Sequence, residues 1–96
     1  MKGSIRYLAT NRDRTVVENG FIEKRQIASS LRRIEPAAKE LLVKSGAEHV
    51  IYCAKVFDRY GGLAAIHFFL WPMNEDEFDR ATRHCRGAQI YALHRR

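Results

Sequence analysis

The sequence is poor in the features that mark secreted and membrane-spanning chains. It has two cysteines and two prolines in 96 residues, and no apolar run approaches the ~20 residues that a membrane span needs. Cys53 and Cys85 form no Cys-x-x-Cys pair, which favours buried thiols in a reducing compartment over a disulfide scaffold. The first residues lack the apolar core of a signal peptide. We therefore expect a cytoplasmic protein that does not associate with membranes.

The motifs of common enzyme and cofactor-binding classes are also missing. The glycine pair at 61–62 lies between two strand-like runs and not between a strand and a helix, so it predicts no phosphate-binding loop. One set of residue types would suit zinc, namely Cys53, His67, His84 and Cys85. Its last two members point about 100° apart on a helix, which argues against a shared metal ion. We predict no catalytic residues, no cofactor and no metal site.

Positive charge is the most distinctive feature of the composition. The net charge is +6, and twelve of the seventeen basic residues are arginine. Arginine suits phosphate groups and stacks on bases or aromatic rings, so the charge is compatible with nucleic-acid binding. It is equally typical of a protein kept in solution by excess charge. A hydrophobic content of 46% predicts one folded domain over residues 1–96.

Two apolar runs at 49–57 and 63–71 dominate the chain and predict a β-hairpin with Phe57 opposite Leu63. Because side chains alternate along a strand, each run has two sides. We expect the even positions to form the core, namely Val50, Tyr52, Ala54, Val56, Ala64, Ile66, Phe68 and Leu70. The odd positions mix aromatic residues with lysine and histidine, so we expect them to form an open face.

Before the hairpin, residues 4–10 and 14–18 are predicted strands joined by a polar turn. Asn19-Gly20 predicts a turn, which either closes a hairpin with a strand at 21–23 or, as we favour, precedes a helix. Apolar residues at helical spacing from Ile27 to Leu41 predict that helix. Pro36 allows one kinked helix or two shorter ones. Gly46 is the expected C-terminal cap.

After the hairpin, Asn74 and Glu77 predict the capped start of a second helix. Phe78, Ala81 and Cys85 recur at helical spacing, so we expect them to face the core, and Gly87 to end the helix. The acidic residues of its first turn are interpreted as complements to the helix dipole. A final strand is predicted at 88–93.

The order strands, helix, strand, strand, helix, strand indicates an α+β fold. A β-α-β-β-α-β core of this length predicts a ferredoxin-like split βαβ sandwich. In that arrangement the sheet is antiparallel and both helices pack on one face, over the even side of the hairpin. The odd side would then be left open.

Two functions compete for that open face. The first is binding of a protein partner, or self-association as a homodimer, because a monomer rarely exposes such an apolar patch. The second is binding of single-stranded nucleic acid, above all RNA, by base stacking and arginine contacts, although no RNP1 pattern is present. The candidate binding residues are Ile51, Lys55, Phe57, Leu63, His67, Phe69 and Trp71 on the face, Arg59, Tyr60 and the tail Arg95-Arg96 at its edge, and Arg32 and Arg33 on the first helix.

Overall fold

The computed structural model of the chain describes residues 4–11, 13–85 and 87–95. Within these residues the strands and helices follow the predicted order: β1 (Ser4–Thr10), β2 (Val16–Glu23), α1 (Ile27–Ser45), β3 (His49–Phe57), β4 (Leu63–Met73), α2 (Glu75–Arg83) and β5 (Ala88–His94). A 3₁₀ turn at Lys24–Gln26 joins β2 to α1. The predicted polar turn and basic tail include Arg12 and Arg96, which lie outside the described residues.

The strands form one mixed sheet in the order β2-β1-β4-β3-β5. β1 and β4 run parallel, and the other neighbouring pairs are antiparallel. The α+β class is therefore confirmed, whereas the prediction of a purely antiparallel sheet is wrong and the ferredoxin-like arrangement is not confirmed. Apolar periodicity predicts strands and hairpins. It does not tell which strands of separate hairpins become neighbours.

Asn19 and Gly20 lie inside β2, so neither predicted role for this dipeptide is right. Gly20 pairs with Tyr7 of β1, and a Cβ atom at Gly20 would come within 3.3 Å of the Tyr7 ring. The glycine therefore permits close approach of an aromatic ring and does not make a turn.

α1 is one helix from Ile27 to Ser45 that contains Pro36, so the continuous alternative is the correct one. Because proline has no N–H, the carbonyl of Arg32 loses its intrahelical partner. Both residues are exposed, and water can take that place. Gly46 ends the helix in the left-handed conformation, with φ of 70°, as predicted.

α2 begins as predicted and ends early. The Asn74 side chain accepts a hydrogen bond from the Glu77 N–H at 2.8 Å, and the Glu77 side chain accepts one from the Asn74 N–H at 3.2 Å. The helix ends at Arg83 and not at Gly87. Cys85, which was expected on the core side of this helix, therefore lies beyond it and is half-buried.

The two helices cover opposite faces of the sheet. One core cluster joins Ala38 and Leu41 of α1 to the sheet. The other joins Phe78 of α2 to Ile51 and Phe69, which belong to the odd side of the hairpin. The prediction that both helices share one face is wrong. The amphipathic pattern of α2 predicts that its apolar side is buried. The pattern does not predict against which face of the sheet that side packs.

A bulge also interrupts the predicted alternation of β3. The register shifts between Ile51 and Cys53 against both neighbouring strands. As a result Tyr52 and Cys53, although adjacent, both pack on the α1 side. Ala54 packs on the α2 side, opposite to the prediction.

A second irregularity lies near the hairpin loop. The ladder starts as predicted, with Phe57 opposite Leu63, but Ala64 is then an extra residue on β4. Ala64, a predicted core residue, is exposed. Beyond it the register differs from the expected one, and His67 pairs with Ala54. A bulge is a local backbone feature that the apolar pattern does not predict.

Candidate functional site

The residues predicted to form one open binding face are divided between the two sides of the sheet. Ile51 and Phe69 are buried together with α2 residues, with only 4% and 9% of their surface exposed. Leu63 packs with the cluster on the α1 side. The face that was expected to be open is therefore occupied in large part by α2.

Trp71 is half-buried at the margin of the α2-side cluster. Its indole Nε1 donates a hydrogen bond to the Asn11 carbonyl at 3.1 Å. Its ring centroid lies 4.4 Å from that of Phe69, and the Arg14 guanidinium lies 4.7 Å from its centroid. The donor and much of the ring are thus engaged within the chain.

The remaining predicted residues of the hairpin lie towards its loop. Phe57 is half-buried, and the Lys55 Nζ lies 5.1 Å from the Tyr91 ring centroid. Arg59 and Tyr60 are exposed in the loop, with the guanidinium 5.0 Å from the tyrosine ring centroid. Trp71 lies eight residues along β4 from the start of that strand, roughly 26 Å away at the usual strand rise. These side chains do not form a single patch with it.

His67 and Cys53 are not brought together either. His67 packs edge-to-face on Phe69, with ring centroids 5.8 Å apart, and burial lowers the pKa of its imidazole. Cys53 is fully buried in the α1-side cluster, and burial raises the pKa of its thiol to about 12. Such a thiol is protonated and unreactive at neutral pH. Within the described ranges, no group of three or more His, Cys, Asp or Glu side chains is placed to hold a metal ion.

A groove of about 590 Å³ lies between the β1–β2 hairpin and α1. It forms because α1 packs chiefly over β3, β4 and β5 and leaves the side of the sheet near β2 less covered. Its apolar lining consists of Tyr7, Ala9, Phe21, Ile22, Ile34, Ala37 and Phe68. Apolar concave surfaces with a few polar groups are the usual form of binding sites, so the groove is the candidate site.

Several polar groups of the groove have hydrogen-bond partners within the chain. The Tyr7 hydroxyl donates to Glu18 Oε1 at 2.7 Å, and this hydrogen bond raises the pKa of Tyr7. The Ser29 hydroxyl donates to the Gln26 carbonyl at 2.9 Å. Arg33, exposed on α1, lines the groove and forms no ion pair among the described residues.

β2 forms one edge of the sheet and pairs only with β1 among the described strands. The backbone groups on its outer edge therefore have no strand partner among the described residues. Val17 and Phe21 on this strand are 61% and 68% exposed. Of the devices that protect an edge strand from pairing with another chain, β2 lacks lysine and proline but has two glutamates and a register shift beside Val16.

Comparison with protein-family models, curated protein sequences and solved structures finds no match to this chain. Among the residues that the structure describes, no helix is long and apolar enough to cross a membrane. A functional assignment therefore rests on the geometry of the groove and of the edge strand beside it.

Of the predicted binding residues, Arg33 alone lines this groove, and its neighbour Arg32 does not. The other lining residues come from β1, β2, α1 and β4, so the groove depends on a tertiary arrangement that the sequence does not reveal. One signal was present. The stripe of α1 that faces the groove carries Ser29, Ser30 and Ala37, where a helix packed closely on a sheet would carry larger apolar residues.

Proposed function

We propose that this protein is a protein-binding module that receives an extended segment of a partner protein along β2. One observation carries the proposal: the unpaired edge of β2 adjoins an apolar groove that α1 walls on its other side. Recognition by strand addition uses this combination. Main-chain hydrogen bonds to the edge supply affinity, and a neighbouring groove selects side chains.

The groove would receive every second side chain of the added strand, since side chains alternate between the faces of a sheet. Burial of one aliphatic side chain contributes about 1.5–3 kcal/mol, and each main-chain hydrogen bond adds about 0.5–1.5 kcal/mol. The loss of freedom on association opposes these terms. A short segment bound in this way should have a dissociation constant in the micromolar range, about −8 kcal/mol.

The other predicted functions have less support from the geometry. Base stacking on the sheet needs several uncovered aromatic rings. Tyr60 is exposed in the hairpin loop, but Phe69 is buried and the Trp71 ring contacts Phe69 and Arg14.

Self-association was expected through the odd face of the hairpin, much of which α2 covers. An alternative dimer would pair β2 with β2 of a second copy on the same edge. Glu18 and Glu23 make that strand acidic, which disfavours pairing it with itself and favours a different partner.

Random twelve-residue peptides displayed on phage test the proposal, because such a selection needs no candidate partner. We expect selection for peptides with apolar side chains at alternate positions, which bind with micromolar dissociation constants in fluorescence anisotropy. In hydrogen-exchange NMR a bound peptide should slow the exchange of alternate amides of β2. Only every second N–H of an edge strand points away from its sheet.

Two alanine-to-tryptophan variants provide a matched control. Ala37 and Ala28 are both exposed on α1, but only Ala37 lines the groove, and nine helical residues place the two on opposite sides of the helix. Ala37→Trp should fill the groove and weaken peptide binding at least tenfold, whereas Ala28→Trp should change it less than twofold. Equal effects, or no enriched peptide, would overturn the proposal. A dimer formed through β2 that binds no peptide would assign the edge to self-association.

A further inference from the structure

The charges at the groove point to the chemistry of its occupant. We infer that the partner segment carries an acidic side chain that pairs with Arg33, two residues from an apolar side chain that enters the groove. This inference rests on the proposed function, because it concerns the segment that β2 would receive. It commits to an internal Asp or Glu side chain of a protein partner.

Two carboxylates lie beside the groove, and each has a hydrogen-bond or ion-pair partner, but only Glu23 is paired with a cation. Glu18 accepts the hydrogen bond of the Tyr7 hydroxyl, and Glu23 forms an ion pair with Arg25. Arg33 lines the same groove, and the structure gives it no ion pair within the described residues. Arg33 is therefore a basic group of the groove without an ion pair in the described residues, and its complement is an anion on the ligand. Glu18 keeps its negative charge on the β2 side, because a tyrosine hydroxyl does not neutralise it, so we expect the anion on the α1 side of the groove.

The identity of this cation favours a carboxylate. A guanidinium group presents its N–H donors in a planar fork that matches the two oxygens of a carboxylate. On α1, Ile34 and Ala37 line the groove after Arg33, and Ser29 and Ser30 line it before Arg33. Because Arg33 is exposed in the free protein, its pair with a carboxylate gains strength only as far as the bound segment excludes water from it.

The position of Arg33 along α1 favours an internal acidic residue over a chain terminus. Groove-lining positions extend from Gln26, seven residues before Arg33, to Ala37, four residues after it. At 1.5 Å per residue the groove continues roughly 10 Å on one side and 6 Å on the other. An extended chain would thus pass Arg33 in both directions.

Strand geometry sets the spacing of the acidic and apolar residues. Side chains that face the same side of an extended segment are two residues apart, about 6.6–6.8 Å. The acidic side chain at Arg33 and an apolar side chain on the groove floor must share that side. The expected pattern in the partner is therefore apolar-x-acidic or acidic-x-apolar.

Parallel peptide selections on three forms of the full-length protein test the inference. The forms are wild type, Arg33→Glu and Arg32→Glu, which carry the same charge change at adjacent exposed positions of α1. Wild type and Arg32→Glu should enrich Asp or Glu two residues from an apolar position. Arg33→Glu should lose that preference and favour Lys or Arg. For one selected peptide, Arg33→Glu should weaken binding at least tenfold and Arg32→Glu less than threefold.

A change in the peptide separates direct pairing from general charge attraction. Replacing the selected acidic residue by its amide should abolish the difference between wild type and Arg33→Glu. Equal effects of Arg32→Glu and Arg33→Glu, or selected peptides without an acidic preference, would overturn this inference and leave strand addition standing. Synthetic peptides that bind only with a free terminal carboxylate would overturn the choice of an internal side chain. Absence of any enriched peptide would overturn both proposals.

Discussion

The Nδ1 atoms of His49 and His94 lie 2.7 Å apart, where β3 and β5 pair residue against residue. At this distance one imidazole donates and the other accepts. The Nε2 atom of His49 lies 2.7 Å from Glu75 Oε2 at the start of α2, and the His49 ring stacks on Phe78 with centroids 4.2 Å apart. His49 is 8% exposed. Its two hydrogen bonds connect Glu75 of α2 with His94 of β5, at the edge of the sheet.

Replacement of His94 by alanine should therefore destabilise the fold. The change leaves a nitrogen of the buried His49 without its protein partner, which we expect to cost about 1 kcal/mol because water can reach part of the site. Urea denaturation measures this free energy of unfolding. His84→Ala is the control, since His84 is exposed at the end of α2 and should change stability by less than about 0.5 kcal/mol. An equal effect of the two variants would assign no stabilising role to the histidine pair.

Phe69→Ala tests the placement of α2 over the odd side of the hairpin. On an open face this substitution would cost little, but Phe69 is 9% exposed and packs with the α2-side cluster. We expect a loss of about 3–5 kcal/mol, as for other buried aromatic side chains. Thermal and urea unfolding measure the loss.

Phe21→Ala is the matched control for that substitution. Phe21 is 68% exposed on β2, so its replacement should change the free energy of unfolding by about 0.5 kcal/mol or less. If both phenylalanine variants unfold at the same urea concentration as the wild-type protein, α2 does not cover Phe69 in solution.

Local sequence signals predicted the features that neighbouring residues decide. Asn74 and Glu77 cap α2, Gly46 ends α1, and Phe57 pairs with Leu63. Each depends on residues a few positions apart in the chain. The face of the sheet that α2 covers depends instead on the path of the chain after β4. The periodicity of apolar residues does not predict that path.

The candidate groove was not predictable for the same reason. It exists because β2 lies at the edge of the sheet and β1 separates it from β4. From the sequence we expected a turn at Asn19-Gly20, so β2 was not expected to be one continuous strand. Arg33 was recognised as a candidate through its charge, and its place at the groove follows from tertiary structure alone.

Cys53 should resist alkylation in the folded protein. It has no exposed surface, and burial raises the pKa of its thiol to about 12, so the reactive thiolate is scarce near pH 8. In Cys85→Ser, iodoacetamide should add to the protein only after urea unfolds it, as mass spectrometry would show. Cys53→Ser should react in the native state, because Cys85 is half-buried beyond α2. Rapid native labelling of Cys85→Ser would contradict the burial of β3 beneath α1.

Trp71→Phe should loosen the loop between β1 and β2. The substitution keeps an aromatic ring beside Phe69 but removes the indole donor to the Asn11 carbonyl. That carbonyl also accepts from the Arg14 N–H at 3.0 Å, within the loop. Loss of the indole bond should cost about 1 kcal/mol and speed amide exchange at Arg14 and Thr15, measured by hydrogen-exchange NMR.

Arg14→Asn separates this hydrogen bond from the guanidinium contact with the Trp71 ring. Arg14 has a φ of 69°, a conformation that asparagine adopts more readily than arginine. The relief of backbone strain should offset the lost cation–π contact, about 0.5–1 kcal/mol at an exposed site, so stability should change less than in Trp71→Phe. A larger loss in Arg14→Asn would mean that the cation, and not the indole hydrogen bond, holds the loop on β4.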